Sequence, residues 1–146
     1  MERVLLVPIR LGLIVARETR TLGAIGLLRS PDGRILLVKP FYRAAWGFPG
    51  GYLKRRETPD EGLRRELREE TGLDVSPDGQ VPSVAFQRER RHVDFIYVLE
   101  ASPADVAAAA PHSWEIVELA WFDLDNLPAL QPEAITTLRR AGLLPA

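Results

Sequence analysis

Three carboxylates stand at helical spacing in the run Arg64-Arg65-Glu66-Leu67-Arg68-Glu69-Glu70. Glu66 and Glu70 are four residues apart, which places them about 40° apart around a helix axis. Glu69 lies about 60° to the other side of Glu66 by the same geometry. Leu63 and Leu67, also at i, i+4, adjoin Glu70 and mark the face that a packed helix buries. The carboxylates therefore border the apolar stripe. Like charges at that range repel, and burial raises the cost. An oxygen-only cluster of this kind suits a hard divalent cation such as Mg²⁺ or Mn²⁺. Mg²⁺ keeps several waters and uses few carboxylates plus substrate phosphates, so the chemistry indicated is phosphate processing. The same run also reads as a solvated helix face laced with i, i+4 ion pairs. Helical spacing alone leaves both readings open.

The elements around this run are legible. Thr58 is a good N-cap, Pro59 suits the first helical position, and Glu61 completes a capping box. Gly72 supplies the stop. Trp46-Gly47-Phe48-Pro49-Gly50-Gly51 cannot be helical and reads as a shaped loop. Leu22 to Arg29 and Arg34 to Lys39 read as strands joined by the Pro31-Asp32-Gly33 turn. Val81 to Gln87 and Val93 to Leu99 read as two more, linked by the charged stretch Arg88 to His92. A short alanine-rich helix starts at Ser102-Pro103 and ends near Pro111. Ile116 to Phe122 is a strand, and Pro132 to Arg140 a C-terminal helix. No repeat, linker or low-complexity tract interrupts this order, which predicts an α/β (α+β) architecture of one mixed sheet with helices on its faces.

The local context of the carboxylates separates the two readings. Gly51, Glu57, Arg65, Glu66, Leu67, Glu69, Glu70, Gly72 and Leu73 fill every fixed position of G-x5-E-x7-R-E-U-x-E-E-x-G-U, where U is a bulky aliphatic residue. A chance match at one place is on the order of one in a billion at average residue frequencies. The pattern resembles the Nudix box of the Nudix hydrolase family. The Trp46 to Gly51 loop, and Trp121-Phe122 followed by Leu124 to Pro128, resemble its usual flanks. The resemblance implies an α/β/α sandwich with a mixed sheet over residues 21–146, preceded by an apolar extension over 1–20. It implies that Glu66, Glu69 and Glu70, with the backbone carbonyl of Gly50, bind Mg²⁺ or Mn²⁺. Arg65 would pair with Glu57 and hold the loop against the helix. Glu69 is the first choice for general base, with Glu57, Glu115 and Glu118 as alternatives. The implied reaction is hydrolysis of a nucleoside diphosphate linked to a moiety X, giving a nucleotide and X-phosphate. A rival is a non-catalytic ligand-sensing module, but such a module should lack box carboxylates, and none is missing here. One departure stands inside the box: family members often carry glycine where Arg56 stands and an acid where Lys54 stands.

Candidate substrate contacts are Tyr42, Arg43 and Arg56, with Phe41 beside them, because an aromatic face can stack on a base. Arg88, Arg90 and Arg91 read as a solvated turn, His92 and His112 as structural, and Trp114 and Trp121 as core or interface residues. A net charge of -1 argues against a nucleic-acid partner. Absence of cysteine excludes thiolate metal sites and fits a cytoplasmic location. Met1 to Ala16 is apolar but broken by Arg3, Pro8 and Arg10, so it predicts neither a spanning helix nor a signal peptide. It is expected to pack on the domain or on a second subunit, as in a homodimer.

Overall fold

The computed structural model describes residues 21–146, so the apolar N-terminal extension and its expected packing lie outside the described residues. Six strands, β1 (Thr21–Arg29), β2 (Ile35–Pro40), β3 (Gly50–Tyr52), β4 (Ser83–Gln87), β5 (His92–Glu100) and β6 (Ile116–Phe122), form one sheet. Among the described residues, three helices, α1 (Pro59–Thr71), α2 (Pro103–Ala108) and α3 (Pro132–Arg140), complete the order. The sheet runs β4-β5-β1-β2-β6, and only the β1–β5 pair is parallel, so the expected mixed sheet is present.

Alternation along the strands sends side chains to two cores. Leu28 and Leu36 pack with Leu63 and Leu67 of α1 on one face. Leu27, Ile35 and Leu37 pack with Leu138 of α3 on the other. Each fully buried leucine contributes about 1.5–3 kcal/mol of transfer free energy, and together they clamp the sheet between the helices. Tyr97 of β5 donates its hydroxyl to the Asp60 carboxylate and so ties the first turn of α1 to the sheet.

α1 forms as its sequence predicts. The Thr58 hydroxyl accepts from Glu61 N–H at 3.2 Å, and the Glu61 carboxylate accepts from Thr58 N–H at 3.0 Å. Gly72 closes the helix at φ 73°, donating its N–H to the Arg68 carbonyl. α2 carries the same device, with Ser102 N–H donating to Asp105 at 2.8 Å and Asp105 N–H to the Ser102 hydroxyl at 3.1 Å, but none of its residues is buried.

One expectation is corrected. The Trp46 to Gly51 stretch is not loop throughout, because Gly50–Tyr52 forms β3 against β1. The reason lies in β1. It pairs with β2 only where Arg29 faces Ile35, so the two strands part beyond the hairpin. Their freed backbone groups need partners. Val38 and Gly47 exchange two bonds of 2.9 Å, while Gly26 N–H donates to Pro49 at 2.9 Å and Leu53 N–H to Leu22 at 2.8 Å. A three-residue strand rich in glycine has no periodicity to betray it. A smaller correction concerns His92, which opens β5 rather than closing the charged link.

Arg56 adopts φ 66°, left-handed backbone that favours glycine. Arg56→Gly should therefore stabilise the fold by about 1 kcal/mol, raising Tm by roughly 3 °C. Thermal and denaturant melts check this, and a lower midpoint would show that the arginine side chain outweighs the backbone strain.

Candidate functional site

The carboxylates sit where α1 meets β3. A Cβ on Gly51 would lie 2.6 Å from Glu66 Oε1, so only glycine lets that carboxylate reach the strand. Gly50 is held against β1 so closely that a Cβ there would collide with the Ala24 carbonyl. Its N–H donates to Glu70 Oε2 at 3.2 Å. This N–H contact is separate from the metal ligation expected of the Gly50 carbonyl.

Arg65 organises the group. Its Nε and Nη2 each lie 2.8 Å from one oxygen of Glu57, a bidentate pair. Nη1 donates to Glu66 at 2.7 Å and Glu69 at 3.2 Å, and Nη2 donates to the Tyr52 carbonyl at 3.1 Å. The guanidinium and the Lys54 N–H hold the Glu57 carboxyl down at about 2, so Glu57 is a poor proton acceptor. Glu66 is pushed above the usual range by burial, with Arg65 opposing. Glu70 is pushed up to about 8, first by burial and then by Glu66, with Glu115 and Glu69 adding and the Gly50 N–H opposing. Glu69 is half exposed, its side chain at 53%. Among the described residues, no three acidic or histidine side chains converge as a finished metal cage. Arg65 draws Glu66 and Glu69 toward itself, leaving Glu70 apart.

Three cavities meet here. One of about 530 Å³ runs past Gly50, Gly51 and Tyr52 and is walled by Gln87, Arg90, His92, Asp94, Gln131 and Glu133. A second, about 580 Å³, is lined by Glu66, Glu69, Glu70, His112, Trp114 and Glu115. A narrower one of about 130 Å³ shares Gly50 and Gln131 with the first and Glu70 and Glu115 with the second, and holds Tyr42 and Arg43.

The candidates divide accordingly. Tyr42 faces the carboxylates, and its hydroxyl is pushed up by burial and by Glu115 and Glu70. Arg43 lines the cleft but is paired with Glu133 at 3.3 Å. Arg56 is exposed and lines none of these three cavities. Glu115 faces the site, while Glu118 is on β6, 3.7 Å from Lys39 and away from these cavities. His92 is structural as read, bonded to Asp94 at 2.8 Å and Thr21 at 2.7 Å. Arg90 reaches Glu133 at 3.5 Å from an exposed turn. Trp121 packs on the α1 core, whereas Trp114 is 80% exposed, so of the two expected places, core or interface, it is not in the core. Sequence reasoning missed Gln87, Asp94 and Gln131. Asp94 carried a signal, an acid inside the apolar run Val93 to Leu99.

Comparison with known proteins adds relatives. The NUDIX domain family model matches residues 19–141. The chain is 34% identical over 106 residues to an ADP-ribose pyrophosphatase of Methanocaldococcus jannaschii, covering 68% of this chain and 60% of that protein. It is 43% identical over 54 residues to an 8-oxo-dGTP diphosphatase of Proteus vulgaris, covering 37% and 48%. In both, the match spans less than two thirds of the relative's length. A crystal structure of a MutT NUDIX hydrolase from Burkholderia pseudomallei superimposes with a TM-score of 0.70 at 26% identity, covering 82% of this chain and 95% of that one.

The Glu70 shift has a signed consequence. Its folded pKa of about 8 lies above the ordinary 4.5, so the unfolded chain loses this proton first as pH rises. Without divalent ions, stability should fall between pH 4.5 and 8 and level off outside that window. Glu70→Gln removes the effect and should be more stable than wild type at pH 8. The gap should close toward pH 4.5. Melts in chelator across that range decide it, and parallel curves for the two proteins would refute the buried-charge account.

Proposed function

This chain belongs to the NUDIX domain family, and from that premise we propose that it hydrolyses a nucleoside diphosphate linked to a moiety X, using Mg²⁺ or Mn²⁺. The observation that carries the reading is the Glu66–Glu70 pair. Glu70 is buried beside other carboxylates, and Gly50 N–H is the hydrogen-bond donor to it among the described residues. That uncompensated charge fits a hard cation, which needs only one or two protein carboxylates when phosphates complete its shell. Glu66 and Glu70 would hold the ion, with Glu69 and the Gly50 carbonyl as further ligands. A bound ion supplies positive charge to offset the diphosphate and acidifies the attacking water.

The remaining roles belong to the chain. Glu69, exposed and loosely held at 3.2 Å by Arg65, accepts the proton from the attacking water. Water oxygen bonds to phosphorus, the bridging P–O bond breaks, and the products are a nucleotide and X-phosphate. Glu57 is committed to Arg65, so it acts as a positioning residue, and Arg65 aims Glu66 and Glu69. Glu115 is the alternative acceptor, on the opposite wall. Tyr42 and Arg43 contact substrate from the narrow cavity. Arg56, being exposed on the rim of the box, stays a weaker candidate for phosphate contact.

The names of the two relatives, a diphosphatase and a pyrophosphatase, support this reaction class. Among the described residues no helix is long and apolar enough to cross a membrane. A cytoplasmic location, a small-molecule substrate and homodimer formation through the N-terminal segment belong to the same reading.

The test is a substrate panel of ADP-ribose, nucleotide sugars, dinucleoside polyphosphates and (d)NTPs, with products read by mass spectrometry. At least one should yield a nucleotide only when Mg²⁺ or Mn²⁺ is present. Glu70→Gln should lower kcat by about a thousandfold or more while the fold persists. Wild-type turnover in that variant would remove the metal role. Tight binding of one compound without turnover of any would make the chain a binding module.

A further inference from the structure

Trp114 is the anomaly of the surface. It is 80% exposed, Phe41 is 56% exposed and Tyr42 64%. Their rings touch, with Phe41 5.1 Å from Tyr42 and 5.5 Å from Trp114 between centroids. Large aromatic side chains grouped on a surface mark a binding site more often than scattered ones do.

This group is held in place by its backbone. Phe41 N–H donates to the Glu115 carbonyl at 2.8 Å, joining the segment after β2 to the one before β6. Ala110 N–H donates to Thr71 and His112 N–H to Glu70, at 3.2 and 3.1 Å, so the segment carrying Trp114 is pinned to the end of α1. The helix that carries the carboxylates therefore also sets the position of Trp114. The indole lines the same cavity as Glu66, Glu69 and Glu70.

The opposite cavity differs in kind. Its walls are polar, with Gln87, Arg90, Asp94 and Gln131 around Tyr52. The narrow cavity holding Glu70 and Gly50 adjoins both, so a diphosphate lying there would direct one end toward each. The polar cavity offers hydrogen-bond partners for a nucleoside. The aromatic rim sets flat faces at the edge of the acidic cavity, which suits a second ring system.

We infer that Trp114, with Phe41 and Tyr42, is a stacking platform for a planar heteroaromatic ring on the X side of the cleaved linkage. The substrate class is then a dinucleotide, two nucleosides joined through phosphates, and not a nucleotide sugar. This rests on the hydrolase reading and narrows it.

Two compounds isolate the ring. Diadenosine diphosphate is ADP-ribose with a second adenine on its distal ribose. Binding is measured by calorimetry with methylene-bridged analogues of both, which cannot be cleaved, and turnover with the natural compounds. Wild type should bind the diadenosine analogue about tenfold more tightly, the size of one stacked base. Trp114→Ala should abolish that ratio, and Trp114→Phe should retain most of it. Phe41→Ala should reduce it, which guards against a Trp114 variant that fails to fold. The kcat/KM ratio of the two substrates should fall in parallel. A ratio unchanged by Trp114→Ala overturns the platform even if both compounds are hydrolysed. A ratio that collapses while neither is hydrolysed keeps the platform and removes the hydrolase reading. Light scattering adds the remaining arm: a dimer that dissociates in Trp114→Ala, with the binding ratio intact, would give the aromatic patch to a second copy of the chain.

Discussion

The Arg65 guanidinium is the contact on which the rest of the site depends. It spends two N–H groups on Glu57, which comes from the loop before α1, and others on Glu66, Glu69 and the Tyr52 carbonyl. One planar fork thus fixes the loop, the helix face and the end of β3 relative to one another. A lysine could not do this, since its point charge has no fork geometry to match a carboxylate. The arrangement also sorts the acids. Glu57 is neutralised and locked, Glu66 is half compensated, and Glu70, out of reach, keeps its charge problem.

That unresolved charge has a structural cause. Gly50 and Gly51 have no side chains to hold α1 away from the strand, so the carboxylates approach β3 directly. Leu63 and Leu67, fully buried, fix the helix at that depth. The apolar core therefore sets how deeply Glu70 sits, and the core is strong enough to keep an acid there that would be better solvated elsewhere. Under the proposed function, a cation would relieve that charge and a substrate diphosphate would bring further oxygens to it. Stability is lost locally where binding would recover it.

How much of this was legible depends on whether the determinant was local. The capping box at Thr58 and Glu61, the Gly72 stop and the Leu63–Leu67 stripe are contained within one helix, and the sequence exposed all of them. The nine box positions likewise fall within one short stretch, Gly51 to Leu73. β3 was hidden because its reason for existing is the parting of β1 and β2, some twenty residues earlier. Whether Trp114 lay in the core or at the surface was hidden for a related cause. Its exposure follows from the backbone bonds of its segment to Phe41, Glu70 and Thr71, which no local pattern encodes. Asp94 stood out as a polar residue in an apolar strand, yet its partners His92 and Gln87 become evident only when β4 and β5 pair.

These two kinds of determinant bear on different parts of function. What the box encodes locally is a cluster of carboxylates and a way to aim them, and that part is independent of the walls around it. What the sheet assembles at long range is the pair of unlike cavities on either side of Glu70. Selectivity must reside in the second kind. Residues 41–42 and 114–115 belong to connections that meet only because β2 and β6 are neighbours in register from Ile35–Phe122 to Pro40–Ile116. The β2–β6 pairing thus brings Phe41 to Glu115, and through it Trp114 to the rim of the carboxylate cavity. Strand order, rather than any motif, decides which side chains a substrate's distal half would meet.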